Sequence, residues 1–207
     1  AALTTAQLSG LTSTQIGALT TQQFNALDAA HVASLSTTQI EGLIYSQIHN
    51  LSTSQFEVLS TVQLGSMTST QFGAFSVTNI AILTTAQLTG LSSTQISVLT
   101  APQIVSLNGA IIADMTTTQL SGMTSAQIKA LTTQQVALLT TAQLSGMSTV
   151  QYRGFDTVDI PFFSTEQITA LSITGLEAMT NTQVAAFTTV QLGTMTTTQL
   201  AALTVGD

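Results

Sequence analysis

An eight-residue register governs this sequence from Leu3 to Ala202, with no insertion or deletion. Stepping by eight from Leu3 gives 25 repeats, beginning LTTAQLSG, LTSTQIGA, LTTQQFNA. Position one is Leu, Met or Phe in all 25, and position six is apolar in all 25, counting Tyr152. Position two is Thr, Ser, Asp or Asn in 24, with Ile44 the exception, and position five is Gln in 20. Two apolar positions held in phase this long exclude a disordered Thr/Gln-rich tract. A fixed short period instead calls for a solenoid, in which each repeat buries its apolar face only against its neighbours.

Arithmetic narrows the local structure. In one continuous helix, eight residues at about 100° each advance about 80° beyond two full turns, so the apolar positions form no stripe. In a regular strand, positions one and six point to opposite faces, because side chains alternate. The pairing of position two with position five resolves the matter. A hydroxyl followed three residues later by Gln is the capping box, in which the N-cap side chain accepts from the N3 amide and the N3 side chain reaches back to the N-cap amide. Thr4 with Gln7, Thr12 with Gln15 and Thr20 with Gln23 are its first three instances. Leu3 and Leu8, Leu11 and Ile16, Leu19 and Phe24 then fall at N′ and N4, as the hydrophobic staple and the expected core. The substitutions Asp28, Asn108 and Asp156 at position two are all good N-caps.

The expected fold is therefore all-α: a solenoid of about six-residue helices, restarted every eight residues, with a β-solenoid as the alternative. The five repeats without Gln at position five are 4, 10, 14, 20 and 22, carrying His31, Asn79, Ile111, Asp159 and Gly175. All are even-numbered, which hints at two repeats per solenoid turn. The sequence reads as one array over residues 1–207. It opens inside a repeat, so it is expected to be part of a longer array or a stacking subunit.

Composition excludes several functions. Charged residues are 5% of the chain, against about 25% in typical soluble proteins. The net charge is −7, with Lys129 and Arg153 the two cations, so neither nucleic acid nor an anionic membrane surface is an expected partner. There is no Cys. Thr, Ser or Gln interrupts the apolar runs, so no membrane insertion is expected.

The departures from the repeat have mostly structural readings. His31 and His49 lie at different repeat positions, without a third ligand spaced to complete a metal site. Asp156, Asp159 and Glu166 form the densest acidic patch and are a weak calcium candidate, because no EF-hand-type loop accompanies them. Pro161 with Phe162 and Phe163 marks a local bend with extra packing, and Pro102 sits where a missing amide costs little. The six Met residues all occupy position one as core fillers. No nucleophile is set apart by partners, so neither catalysis nor a cofactor is expected.

The signature L-[TS]-[TS]-x-Q-[ILVF]-x-[AG] resembles the LTTxQIxAL arrays of large, repetitive bacterial surface and secreted exoproteins with an adhesin-like character. The resemblance covers residues 3–202. It implies an extracellular or cell-surface setting in bacteria and a stalk or scaffold role. The expected function is a structural rod, stalk or self-assembling filament, with self-association end to end or laterally. The alternatives are a binding module for a cell-surface glycan or protein partner, and an ice-binding surface of position-three threonines such as Thr5, Thr21, Thr37, Thr53 and Thr61.

Overall fold

The computed structural model describes residues 3–203, and among these it is all-helical. Each of the 25 repeats forms one helical element: 24 short α-helices and a single 3-10 turn, with no strand. The series starts with α1 (Thr5–Ser9), α2 (Ser13–Gly17), α3 (Thr21–Asn25), α4 (Ala29–Ala33), α5 (Thr37–Glu41) and α6 (Tyr45–His49), and it ends with α24 (Thr197–Ala202). In almost every repeat the residue at position two is the extended N-cap, and the Gln at position five is N3. Capping box and helix start therefore coincide as the sequence predicts.

The winding differs from the two-repeat turn that the parity of the exceptions suggested. Helix α1 packs on α4, α2 on α5 and α3 on α6, and the same offset of three repeats recurs within each compact unit of the chain. One solenoid turn is three repeats, or 24 residues. The even-numbered exceptions have separate local causes, described below.

The chain divides into two compact units, one ending at Ile111 and the next starting at Ile112. The octapeptide register runs through both. Repeat 14, where the division falls, is the repeat whose position five is the apolar Ile111.

Positions one and six build the interior of each unit. Ile16, Phe24, Ile40, Phe56, Leu64 and Ile96 are fully buried at position six. At position one, Leu27, Leu35, Leu43 and Leu51 are buried as well. The first three repeats differ: Leu8, Ile16 and Phe24 are buried, whereas Leu11 and Leu19 are half-buried and Leu3 is exposed. The core expected at Leu3 is thus not formed there. Position one is covered by the turn beneath it, and cover begins with repeat 4.

The turns approach closely enough to need glycine at particular places. A Cβ on Gly42 would collide with the Ser13 carbonyl oxygen, and one on Gly17 would lie 2.5 Å from that of Gly42. Backbone-to-backbone contact of this kind leaves no room for a side chain between α2 and α5.

Candidate functional site

A five-residue helix is almost all ends. Four amides at its start and four carbonyls at its finish lack partners within the helix. The position-five Gln supplies both kinds of partner. Gln39 Oε1 accepts from the Ser36 amide at 3.0 Å, while Gln39 Nε2 donates to the Leu8 and Leu11 carbonyls, both at 2.8 Å. Those carbonyls lie 31 and 28 residues back, at the end of α1 and the start of repeat 2. Gln47 repeats the pattern on Ile16 and Leu19, and Gln95 on Leu64 and Met67. Gln151 does so on Leu120 and Met123, and Gln191 on Ile160 and Phe163. One carboxamide starts its own helix and closes an earlier one across the turn. From repeat 5 on these Gln side chains are buried. The box is a local motif; the reach across the turn had no signal in local spacing.

Three exceptional repeats rebuild part of this bracket with other chemistry. In repeat 22 the Gln is replaced by Gly175, and the ring of Tyr152, three repeats earlier, fills its place: a Cβ on Gly175 would collide with the ring. The Tyr152 hydroxyl accepts from the Ser172 amide at 2.8 Å and donates to the Leu144 carbonyl at 2.9 Å. Residue 144 is 31 before 175, so a phenol reaches the same kinds of backbone group as the missing carboxamide. In repeat 10, Asn79 keeps the donor to Leu51, 28 residues back, at 3.2 Å, and its oxygen accepts from the Ser76 hydroxyl.

In repeat 4, His31 Nδ1 lies 2.7 Å from Asp28 Oδ1, and Nε2 lies 2.6 Å from the Leu3 carbonyl, again 28 residues back. Both partners are acceptors, so this geometry suits the imidazolium. The Asp28 carboxylate first, and the Leu3 carbonyl second, hold the His31 pKa above its ordinary 6.5. The His31 amide, then its ring, hold Asp28 below its ordinary 3.8. A raised imidazole stabilises the fold below its ordinary pKa, and that contribution is lost as pH climbs through the raised value. A lowered carboxylate contributes above its ordinary pKa and loses this as pH falls through the lowered value. Repeat 4 is therefore held most firmly between about pH 4 and 6.5. Amide protection factors across Leu3–Ser34, corrected for the intrinsic pH dependence of exchange, should fall above that window, and His31→Gln should remove that fall.

Ile111 and Asp159 provide no equivalent. Ile111 brings no donor to the carbonyls of Ile80 and Leu83, and a cleft of about 300 Å³ opens there beside Leu83, Thr84 and Asn108. Asn108 accepts from Ala110, two residues on, rather than from N3. In repeat 20, Pro161 lacks an amide and disfavours an α-helical conformation in Ile160, and the segment Ile160–Phe162 tightens to a 3-10 turn. Asp156 was expected as the N-cap of an α-helix; it instead closes an Asx turn through the Val158 amide at 3.1 Å. Phe163 packs edge-on against Phe155, as the extra packing anticipated, but Phe162 is exposed. Asp159 points inward and is 5% exposed; burial first, and the nearby Asp156 second, raise its pKa. A carboxyl raised in this way loses stability as pH rises through its shifted value. Asp159→Asn should stabilise the protein at neutral pH by about 1 kcal/mol. Thermal melts at pH 4 and pH 7 measure this, and the gain should shrink at the lower pH.

The other anticipated residues are readily placed. Thr4, Thr12 and Thr20 accept from Gln7, Gln15 and Gln23 as N-caps, each at 3.2 Å. Ile44 has no acceptor, yet Gln47 still takes its amide at 3.1 Å, so half the box survives. Pro102 lies in the first turn of its helix, Ala101–Ser106. The calcium candidate is not assembled: among the described residues no group of three His, Cys, Asp or Glu side chains could hold an ion. Asp159 is turned inward, while Glu166 is exposed and held by its own helix start, with its pKa lowered by its backbone amide and by Ser164 and Thr165. His49 Nδ1 lies 3.1 Å from the Ala74 carbonyl. The position-three threonines do not share one row. Three repeats per turn place Thr5 and Thr53 in one column, Thr37 and Thr61 in a second, and Thr21 in a third. No described helix is long and apolar enough to cross a membrane.

Residues 1–29 match the ALTTAQ repeat family. Over those residues the chain is similar to the ALTTAQ repeat. The matched stretch spans the first three boxes and Asp28, the cap of the fourth helix. The same octapeptide continues to Ala202 in this chain, in which Thr is the cap and, from repeat 5 on, Gln is the tie between turns. A search of curated proteins finds no match.

Proposed function

We propose that this chain is a non-catalytic structural scaffold, a rod, stalk or filament at a bacterial surface, lengthened by adding turns of the same repeat. The supporting observation is the unused half of the bracket in the first turn. Gln7, Gln15 and Gln23 each give Oε1 to their own box, yet they are exposed and their Nε2 groups meet no acceptor among the described residues. By the same spacing, the carbonyls of Val184, Phe187, Leu192 and Met195 lie where a following turn would place its carboxamides. A further turn docks on either face with the native hydrogen bonds, whether it comes from the same chain or from a second copy. Sparse charge leaves little to oppose that contact. Head-to-tail contacts of this kind generate open filaments.

The test uses Gln7→Glu, Gln15→Glu and Gln23→Glu together. Glutamate keeps the capping box, because its oxygen still accepts from the N-cap amide. It cannot donate to carbonyls. The parent chain should form concentration-dependent species in sedimentation and fibres by electron microscopy, and the triple variant should stay monomeric with the same far-UV spectrum. A parent chain that is monomeric at every concentration would defeat self-assembly.

A further inference from the structure

We propose that a cleft in the second unit binds an acidic saccharide, with the carboxylate held by Lys129 and Arg153. The chain has two Lys/Arg residues in 207, and both line this one cleft of about 210 Å³. They occupy position seven of repeats 16 and 19, three repeats apart, and the helices that carry or precede them, Ser125–Lys129 and Thr149–Tyr152, pack on each other. Two cations stacked one turn apart repel unless an anion lies between them. Among the described residues neither forms an ion pair.

The remaining groups set the ligand chemistry. Arg153 Nε donates to the Ala178 carbonyl at 2.9 Å, which fixes the guanidinium and leaves its terminal nitrogens free to bind a carboxylate in two-point fashion. Thr157, Thr180 and Thr182 bring hydroxyls to the rim, and Asp156 brings a carboxylate. The two cations and Asp156 give the cleft a charge of +1 on a chain of −7, which suits a monoanion better than a phosphate dianion. Asp156, Thr157 and Thr182 match sugar hydroxyls, while the Thr180 hydroxyl is engaged with Gln183 in its own capping box. The volume falls below the range of about 300–1,000 Å³ usual for drug-sized ligands, which suits a single ring. Asp156 and Thr157 reach this rim from the segment that precedes the 3-10 turn at Ile160–Phe162. This site is independent of turn-to-turn docking: the scaffold reading can fail and the cleft still bind.

The experiment titrates amide chemical shifts with glucuronate, acetate and glucose at low salt. Glucuronate should shift residues around the cleft and bind at least ten-fold more tightly than either fragment. Lys129→Gln and Arg153→Gln should each weaken binding at least ten-fold. Lys129→Gln serves as the control for folding, since that side chain tethers no backbone group. Acetate binding as tightly as glucuronate, glucose binding as tightly as glucuronate, no shift with any of the three, or binding unchanged in both variants would each overturn the proposal.

Discussion

Tyr152→Ile and Gly175→Gln, each damaging alone, should partly offset one another when combined. The first change removes a fully buried ring and leaves the Ser172 amide and the Leu144 carbonyl without their hydroxyl. Cavity and lost hydrogen bonds together should cost about 4 kcal/mol. The second change forces a side chain into space already held by the Tyr152 ring carbons, an overpacking cost of about 1–3 kcal/mol or more. In the double variant, the carboxamide introduced at position 175 has the room and the partners of every other bracket. Its oxygen meets the Ser172 amide and its nitrogen the carbonyls of Leu144 and Met147. The new isoleucine side chain at position 152 matches the aliphatic residues usual at position six. Denaturant unfolding of all four species should give a favourable coupling of about 3 kcal/mol, at the upper end of measured cycles. Additive losses would show that Tyr152 is packing alone and does not substitute for the carboxamide.

The second large effect separates the buried bracket from the exposed one. Gln95→Leu preserves bulk but leaves the part-buried Ser92 amide and the buried Met67 carbonyl without their partner. Each such group costs about 1–3 kcal/mol, so a loss of about 3–4 kcal/mol is expected. In a domain of this size that lowers the melting temperature by about 10 °C. Gln7→Leu, in the first turn, removes only its own box, and water satisfies what it leaves; the cost there should stay below about 1 kcal/mol. Amide exchange is the better readout, because stability in a repeat array is a sum of local terms. Protection should fall around repeats 9 and 12 in the first variant and hardly change in the second. Equal costs at Gln7 and Gln95 would mean that the reach across the turn adds nothing.

The helix starts were legible because their chemistry is local. Thr4 and Gln7 are three residues apart, and no tertiary information is needed to see that one caps the other. The same locality hid the winding. The carbonyls that receive Gln39 belong to Leu8 and Leu11, and nothing in an octapeptide distinguishes the third repeat back from the second. The exceptions misled for a physical reason: His31, Asn79 and Gly175 each lose the Gln through a different substitution, and parity treats them as one event. The best long-range signal lay in pairs of departures. Tyr152 is the one non-aliphatic, non-Phe residue at position six, and Gly175, 23 residues later, is the one Gly at position five. A bulky residue facing an absent one, nearly 24 apart, states the length of the turn.

Near-identical repeats pose a hazard of alignment. A stretch of this chain sliding by eight residues would keep Leu on Leu and Gln on carbonyl almost everywhere, and such misthreaded coils would compete closely with the native one. The phenol lodged over Gly175 breaks that degeneracy. Shifted by one repeat, Gly175 would face Leu144 or Ile160, neither with a hydroxyl for the Ser172 amide, and the Tyr152 ring would collide with a glutamine. The Tyr152–Gly175 pair acts as an indexing pin: it fixes which copy of a repeated word lies beneath which.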